Sequence, residues 1–223
     1  MSGIYTLLFV MITGSVCQAL PFSGHSPYPD EWWAPVPREQ AKGWEVLPQD
    51  AGPGEVVLSK RHELGVFSNF AATSFVYDGQ TYASVEGFWQ MLKYPEGPDD
   101  ERLKDPAIQW PFTRAQVAAM TAYDAKGAGN KANALMKQLG IDWVTFNGKK
   151  IQYLENAKGE YYNLIFAVES AKMNQNQTVK DLLKRTGTLI LLPDHHQSPN
   201  SPPAWRYAEI WMELRAQLMR TAL

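Results

Sequence analysis

Two dipeptides, Asp78-Gly79 and Asn147-Gly148, constrain this chain more than any other feature. Each lies between short runs of β-formers, in "SFVYDGQTY" and "VTFNGKKIQYL". Asx-Gly tolerates positive φ at both central positions, which a two-residue hairpin requires. The spacing therefore predicts two tight reversals with helical pattern around them. Ser84 is placed to cap a helix beginning at Val85. Thr113 and Gln116 have capping-box spacing and open an alanine-rich helix. Gly127 and Gly129 are expected to break it, with a second stretch over Asn130–Leu139 stopped by Gly140. Tyr161–Met173 puts Tyr161, Leu164, Ile165, Val168 and Ala171 on one helical face. Thr178–Arg185 reads as a further helix ended by Gly187, and Trp205–Leu218 as a final amphipathic one. "VVLSK" from Val56 and "TLILL" from Thr188 read as strands, the second of them buried. Helices outnumber hairpins, so the expected class is α+β, mostly α, in one compact domain with short β-hairpins.

The length of 223 residues fits a single sizeable core, and 45% hydrophobic with 12% aromatic residues excludes bulk disorder. A net charge of −2 argues against a strong grip on duplex DNA. Ile4–Val16 is almost wholly apolar and suits a secretory leader cut after Ala19, although no Lys or Arg precedes it. The alternatives are a packed helix or a misassigned start. A cleaved leader implies a secreted or periplasmic protein with no membrane attachment; an uncleaved one implies the cytoplasm. Cys17, the sole cysteine, would leave with residues 1–19. Residues 20–54 carry Pro21, Pro27, Pro29, Pro35, Pro37, Pro48 and Pro53, interleaved with Trp32, Trp33 and Trp44. Proline suppresses regular structure and tryptophan demands burial, so an extended arm lying on the 55–223 domain is expected. Nothing in the composition points to an oligomeric state.

On a helix from Val85, residues three, four and seven apart share a face. Val85, Phe88 and Leu92 form an apolar stripe for the core. Glu86, Trp89, Gln90 and Lys93 form a second face with a carboxylate, an indole, an amide and an amine. That set suits a sugar or a flat base, stacked on the ring and bonded at its edges. The plainer reading is an exposed face with a weak Glu–Lys pair. Gly87, in the first turn, marks close approach of a backbone or of a ligand. Asn69, between Ser68 and Phe70, is either a turn residue or an amide aimed into a pocket. Trp89 and Trp143 are candidates for stacking or for the core. Asp194 follows a strand, where pocket residues often sit. His195-His196 lacks a third ligand at helical spacing, so no metal is expected. Trp205 and Glu209 lie one helical turn apart, as a binding pair or as core and solvated surface.

The stretch Phe67–Lys93, "FSNFAATSFVYDGQTYASVEGFWQMLK", resembles the signature of the NADAR superfamily. Its YbiA-like members carry F-S-N-F, then D-G-K/Q-T-W/Y, then S-E-H-Y-F-Q-A-Q-K. "FAVESAKMNQN" at 166–176 and "MELRAQL" at 212–218 are similar to two further family segments, and Asp142-Trp143 to its Asp/Asn-Trp pair. The resemblance covers roughly residues 56–223. It implies a compact, mostly α fold of YbiA-like type and a ligand containing ribose. The family includes N-glycosidases acting on ribosylamino pyrimidines or removing ADP-ribose from guanine bases. By motif position, Glu86 and Lys93 fall on its acidic and lysine positions and Asn69 on its ligand-contacting asparagine. Ser68, Phe70, Trp89, Gln90, Trp143, Asp194 and Trp205 are the further substrate-binding candidates. The family's His is Gly87 here, and its Gly-rich segment near the C-terminus is replaced by "DHHQSPNSPPAWRYAEIW" at 194–211. The 147–148 hairpin is carried by an insertion.

Cleaving an N-glycosidic bond builds positive charge on ribose C1 and negative charge on the leaving nitrogen. Glu86 is expected to be the main catalytic group for that chemistry, with no cofactor. Lys93 could bind phosphate, hold Glu86 ionised, or attack C1 as an amine if its pKa is lowered. The competing readings are a structural Glu86–Lys93 pair, a secreted non-catalytic binder of ADP-ribose-like ligands, and an effector acting outside its cell of origin. The expected partner is a small or base-linked ribosylated molecule.

Overall fold

The computed structural model describes residues 27–220. The leader, the cleavage point and Cys17 fall outside the described residues. The described residues form six α-helices and three two-stranded pairs: β1 (Glu55–Val57), β2 (Phe75–Tyr77), β3 (Gln80–Tyr82), α1 (Val85–Met91), α2 (Arg114–Ala118), α3 (Ala122–Gln138), β4 (Trp143–Phe146), β5 (Lys149–Gln152), α4 (Glu160–Gln175), α5 (Gln177–Arg185), β6 (Ile190–Leu192) and α6 (Tyr207–Arg220). The class is α+β, mostly α.

Both Asx-Gly reversals form the expected hairpins. Asp78 and Gly79 have φ of 49° and 75°, and Asn147 and Gly148 have 52° and 72°. The antiparallel pairs run Phe75↔Tyr82 to Tyr77↔Gln80 and Trp143↔Gln152 to Phe146↔Lys149. The third pair is parallel and joins distant parts of the chain, with Glu55↔Ile190, Val56↔Leu191 and Val57↔Leu192 in register. The expectation of a wholly buried strand at "TLILL" is corrected: Leu191 is buried but Ile190 is 49% exposed, because side chains alternate across a strand.

Ser84 Oγ accepts from Gly87 N and donates to Met120 O, so one hydroxyl caps α1 and ties it to the end of α2. α1 is buried along its whole length and packs against α2, α3 and α4. Gly87 is the contact point. A Cβ there would lie 2.5 Å from Met120 O and 3.0 Å from Val117 O, so the close approach is that of backbone, not of ligand.

The expected break at Gly127 and Gly129 does not occur. α3 runs unbroken through both, and the interruption falls earlier, at Ala119–Thr121, with Ala122 at φ 48°. Gly129 serves packing, because the Gln90 side chain occupies the space where its Cβ would stand.

The proline-rich arm lies on the domain in short 3-10 turns. Trp32 and Trp33 are buried and donate to Glu63 Oε1 (2.8 Å) and Glu55 O (2.9 Å). Trp44 remains 42% exposed. No helix among the described residues is long and apolar enough to cross a membrane.

Candidate active site

A cleft of about 540 Å³ opens over α1 and gathers most of the candidates named from sequence. Glu86, Trp89, Gln90 and Lys93 all line it. So do Ser68, Asn69 and Phe70 from the turn before β2, and Asp194 and Trp205 from the segment between β6 and α6. Glu86 and Lys93 are only 6% and 5% exposed, so the plainer reading of a solvated face does not describe them. They are not an ion pair either: among the described residues neither makes a contact of that kind. Instead Gln90 Nε2 donates to Glu86 Oε1 at 2.7 Å, one helical turn along.

The turn that carries Asn69 is fixed from behind. Glu86 N donates to Asn69 O (2.8 Å), Lys172 Nζ to Ser68 O (3.0 Å) and Trp211 Nε1 to Phe67 O (2.8 Å). The amide oxygens of Asn69 and Gln90 are buried without a partner. Such an acceptor carries a penalty of about 1–3 kcal/mol unless something donates to it. Hydroxyls of a bound sugar are suitable donors.

Sequence reading missed several lining residues that arrive from distant elements. Lys60 follows β1, Tyr123 and Lys126 come from α3, and Tyr153 follows β5. The sequence signal for Lys60 and Tyr153 is weak: each stands just beyond a strand, where site residues collect. Lys126 and Tyr123 carry none. Lys60 pairs with Asp194 and stands 5.3 Å from the Phe70 ring and 5.7 Å from the Trp44 ring. Trp89 meets Tyr161 edge-on at 5.5 Å and Trp205 at 6.5 Å. The rim is aromatic and open, with Trp44 at 42%, Tyr123 at 67% and Trp205 at 37% exposure.

Burial pushes the Glu86 carboxyl up, against the Gln90 hydrogen bond and the charges of Lys126, Lys93 and Lys60. Burial also brings the Lys93 amine down to about 8, helped by the like charge of Lys126 and opposed by Glu86. The two shifts move toward each other, each favouring the neutral form of its group. Asp194 goes the other way. Burial, the largest influence, raises it, but hydrogen bonds and charge from His195 and Lys60 together hold it below the usual carboxylate range.

Two candidates lie elsewhere. Trp143 does not line the cleft; its ring lies under Lys150 Nζ at 4.4 Å and near the Arg102 guanidinium at 5.2 Å, so it faces cations, not a base. Glu209 pairs with Arg206 at 2.9 Å. Among the described residues no group of three or more His, Cys, Asp or Glu could hold a metal. A second cavity, of about 580 Å³, borders α2, but its Arg114 and Glu96 neutralise each other at 3.1 Å.

Fold and cleft together define a small α+β domain with a buried carboxylate and amine at the base of an aromatic-rimmed cavity. No family model matches the chain, and no curated protein matches it. Among solved structures it is similar to the NMR structure of the Escherichia coli protein YbiA, at 19% identity and a TM-score of 0.48, over 81% of this chain and 92% of that one.

Proposed function

We propose that this cleft is the active site of an N-glycosidase that cleaves the bond between ribose C1 and a base nitrogen in a ribosylated substrate, of the ADP-ribose or ribosylamino-pyrimidine kind. The observation that carries the reading is Lys93: an amine only 5% exposed, without a carboxylate contact, lowered to about 8 beside a buried Glu86 that is itself raised. The resemblance of Phe67–Lys93 to the NADAR signature supports the choice of bond.

Lys93 in its neutral form attacks C1. The C1–N bond breaks, its electron pair goes to the base nitrogen, and Glu86 delivers a proton there. The ribose ring opens as the C1–O4′ bond breaks and the ring oxygen takes a proton from the Lys93 nitrogen, leaving a protonated imine that water hydrolyses to free sugar and amine. With its amine near 8, roughly a tenth of Lys93 is neutral at pH 7 before any sharing with Glu86. Gln90 holds Glu86 in place, and the unpartnered oxygen of Asn69 receives a sugar hydroxyl. Trp89 and the rim rings supply flat apolar surface for the base.

The test presents NAD, an ADP-ribosylated guanine nucleotide and a ribosylamino-pyrimidine phosphate to the wild type and to Glu86→Gln and Lys93→Met. Base release, product masses and borohydride trapping are followed. The wild type should release base from at least one substrate and be trapped as a sugar adduct on Lys93, while both variants lose ~10²-fold or more in rate. Binding of ADP-ribose equal in wild type and Glu86→Gln, with no base released by either, would leave the non-catalytic binder as the function.

A further inference from the structure

Cleavage of the glycosidic bond occupies Lys93 and Glu86, but hydrolysis of the adduct also needs a base for water. The cleft holds further titratable groups, and two of them, His195 and His196, lie in the segment 194–211 where this chain departs from the motif it otherwise resembles; only His195 has its ring held by a carboxylate. His195 lines the cleft, and its backbone and one edge and one face of its ring are held in place. Its backbone forms an antiparallel bridge with Glu45, flanked by Val46 N→Asp194 O (3.0 Å) and His196 N→Trp44 O (3.1 Å). Its ring lies within 10° of parallel to Tyr207, centroids 5.9 Å apart. Its Nδ1 faces Asp194 Oδ1 at 3.3 Å.

Asp194 is itself fully engaged. It is 2% exposed, Lys60 takes Oδ2, and the Tyr207 hydroxyl donates to Oδ1 at 3.3 Å. A carboxylate so occupied stays ionised and is a poor proton acceptor. Its service is to fix the ring: accepting from Nδ1–H leaves the lone pair of the neutral imidazole on Nε2. Among the described residues no protein group bonds Nε2. A buried aspartate spent on orienting an imidazole at the edge of a cleft is the arrangement of a directed base.

We propose that His195 is the base that activates the water hydrolysing the sugar–Lys93 adduct. This rests on the glycosidase reading above. The adduct that reacts is the protonated imine: His195 Nε2 takes a proton from water as the oxygen bonds C1 and the C=N π pair moves to the Lys93 nitrogen. The same proton is then passed to the Lys93 nitrogen, the C1–N bond breaks with its electron pair staying on nitrogen, and the hydroxyl proton goes to solvent as the sugar aldehyde forms. Lys93 returns as the free amine.

The experiment compares wild type, His195→Ala and His195→Asn by rapid quench and by intact mass, on whichever of the three substrates above the wild type cleaves. The Asn variant keeps a donor to Asp194 but carries no base, and thermal melting checks that both fold. Both variants should release about one base per enzyme in a burst at wild-type rate and then turn over ~100-fold more slowly, with sugar accumulating on Lys93. Turnover within ~3-fold of wild type would overturn the assignment and leave Glu86 serving both steps. Loss of the burst in proportion to turnover, or a change confined to KM, would also overturn it, making His195 a contact for the substrate. A wild type that releases no base from any of the three defeats the glycosidase reading itself, a result seen before any His195 variant is measured.

Discussion

Replacing Gly129 with alanine tests whether Gln90 sets the state of Glu86. A Cβ at 129 would stand 2.9 Å from Gln90 Cγ and nearer still to the end of that amide. The atoms in its way belong to the flexible Gln90 side chain, so the amide moves while the backbone stays. Two effects oppose each other. Alanine inside α3 gains up to about 1 kcal/mol of helix propensity. Displacing Gln90 removes its 2.7 Å bond to Glu86, a hydrogen bond to a charged group worth about 1.5–3 kcal/mol. That bond favours the ionised carboxylate over the protonated acid, so its loss pushes the Glu86 carboxyl further up. The sign follows. Glu86 already sits above its ordinary value, and Gly129→Ala pushes it further. The variant is therefore less stable than wild type, by ~0.5–3 kcal/mol once Glu86 is ionised, and the deficit shrinks as pH falls and Glu86 takes up its proton. Urea denaturation over a range of pH and carboxyl ¹³C titration of Glu86 measure both quantities. An unshifted titration with a raised melting temperature would refute the reasoning, because Gln90 would then have room to keep its bond.

Under the proposed mechanism one proton is shared between Glu86 and Lys93. The pH profile of kcat/KM should be bell-shaped, falling on the alkaline side near pH 8 as that proton is lost and on the acid side as a second silences the amine. Asp100, bonded to Arg102 at 2.7 Å, is held down to about 2 by that guanidinium and by backbone amides, which together outweigh the larger opposing push of burial. Asp100→Asn should lose about 2 kcal/mol at pH 7, and the loss should shrink as pH falls from 4 toward 2, read by denaturant melts. Trp32→Ala should lose ~3–5 kcal/mol in the same assay, since the ring is fully buried and bonded to Glu63. Gly87→Ala should cost ~1–3 kcal/mol by driving a methyl into the Met120 carbonyl, and calorimetry reads it directly.

What could be read from sequence followed local chemistry. Asp78-Gly79, Asn147-Gly148, Ser84 and the Thr113–Gln116 box each act within a few residues, and each did what its side chain dictates. Gly129 misled because a glycine that weakens a helix and a glycine that makes room for a neighbour are the same letter; only the position of Gln90, on another helix, separates them. The face of Glu86, Gln90 and Lys93 was legible from helical spacing. Its burial was not, because α2, α3 and α4 cover α1 from positions far along the chain. The β1–β6 pair and the lysines at 60 and 126 escaped for the same reason. Trp143 misled in the opposite direction: an aromatic in a suggestive dipeptide is drawn to Arg102 and Lys150, cations placed by other elements.

The β1–β6 pair and the bridge from Glu45 to His195 also fix when, during synthesis, this cleft can exist. Glu86 and Lys93 leave the ribosome well ahead of His195 and Trp205, and at ordinary translation speeds the gap is on the order of ten seconds. Through that interval the nascent chain carries Lys93 without the residues that complete the cleft around it. Under the proposed mechanism, chemistry waits until the early strand captures the late one, and a stalled or truncated product is expected to be inert.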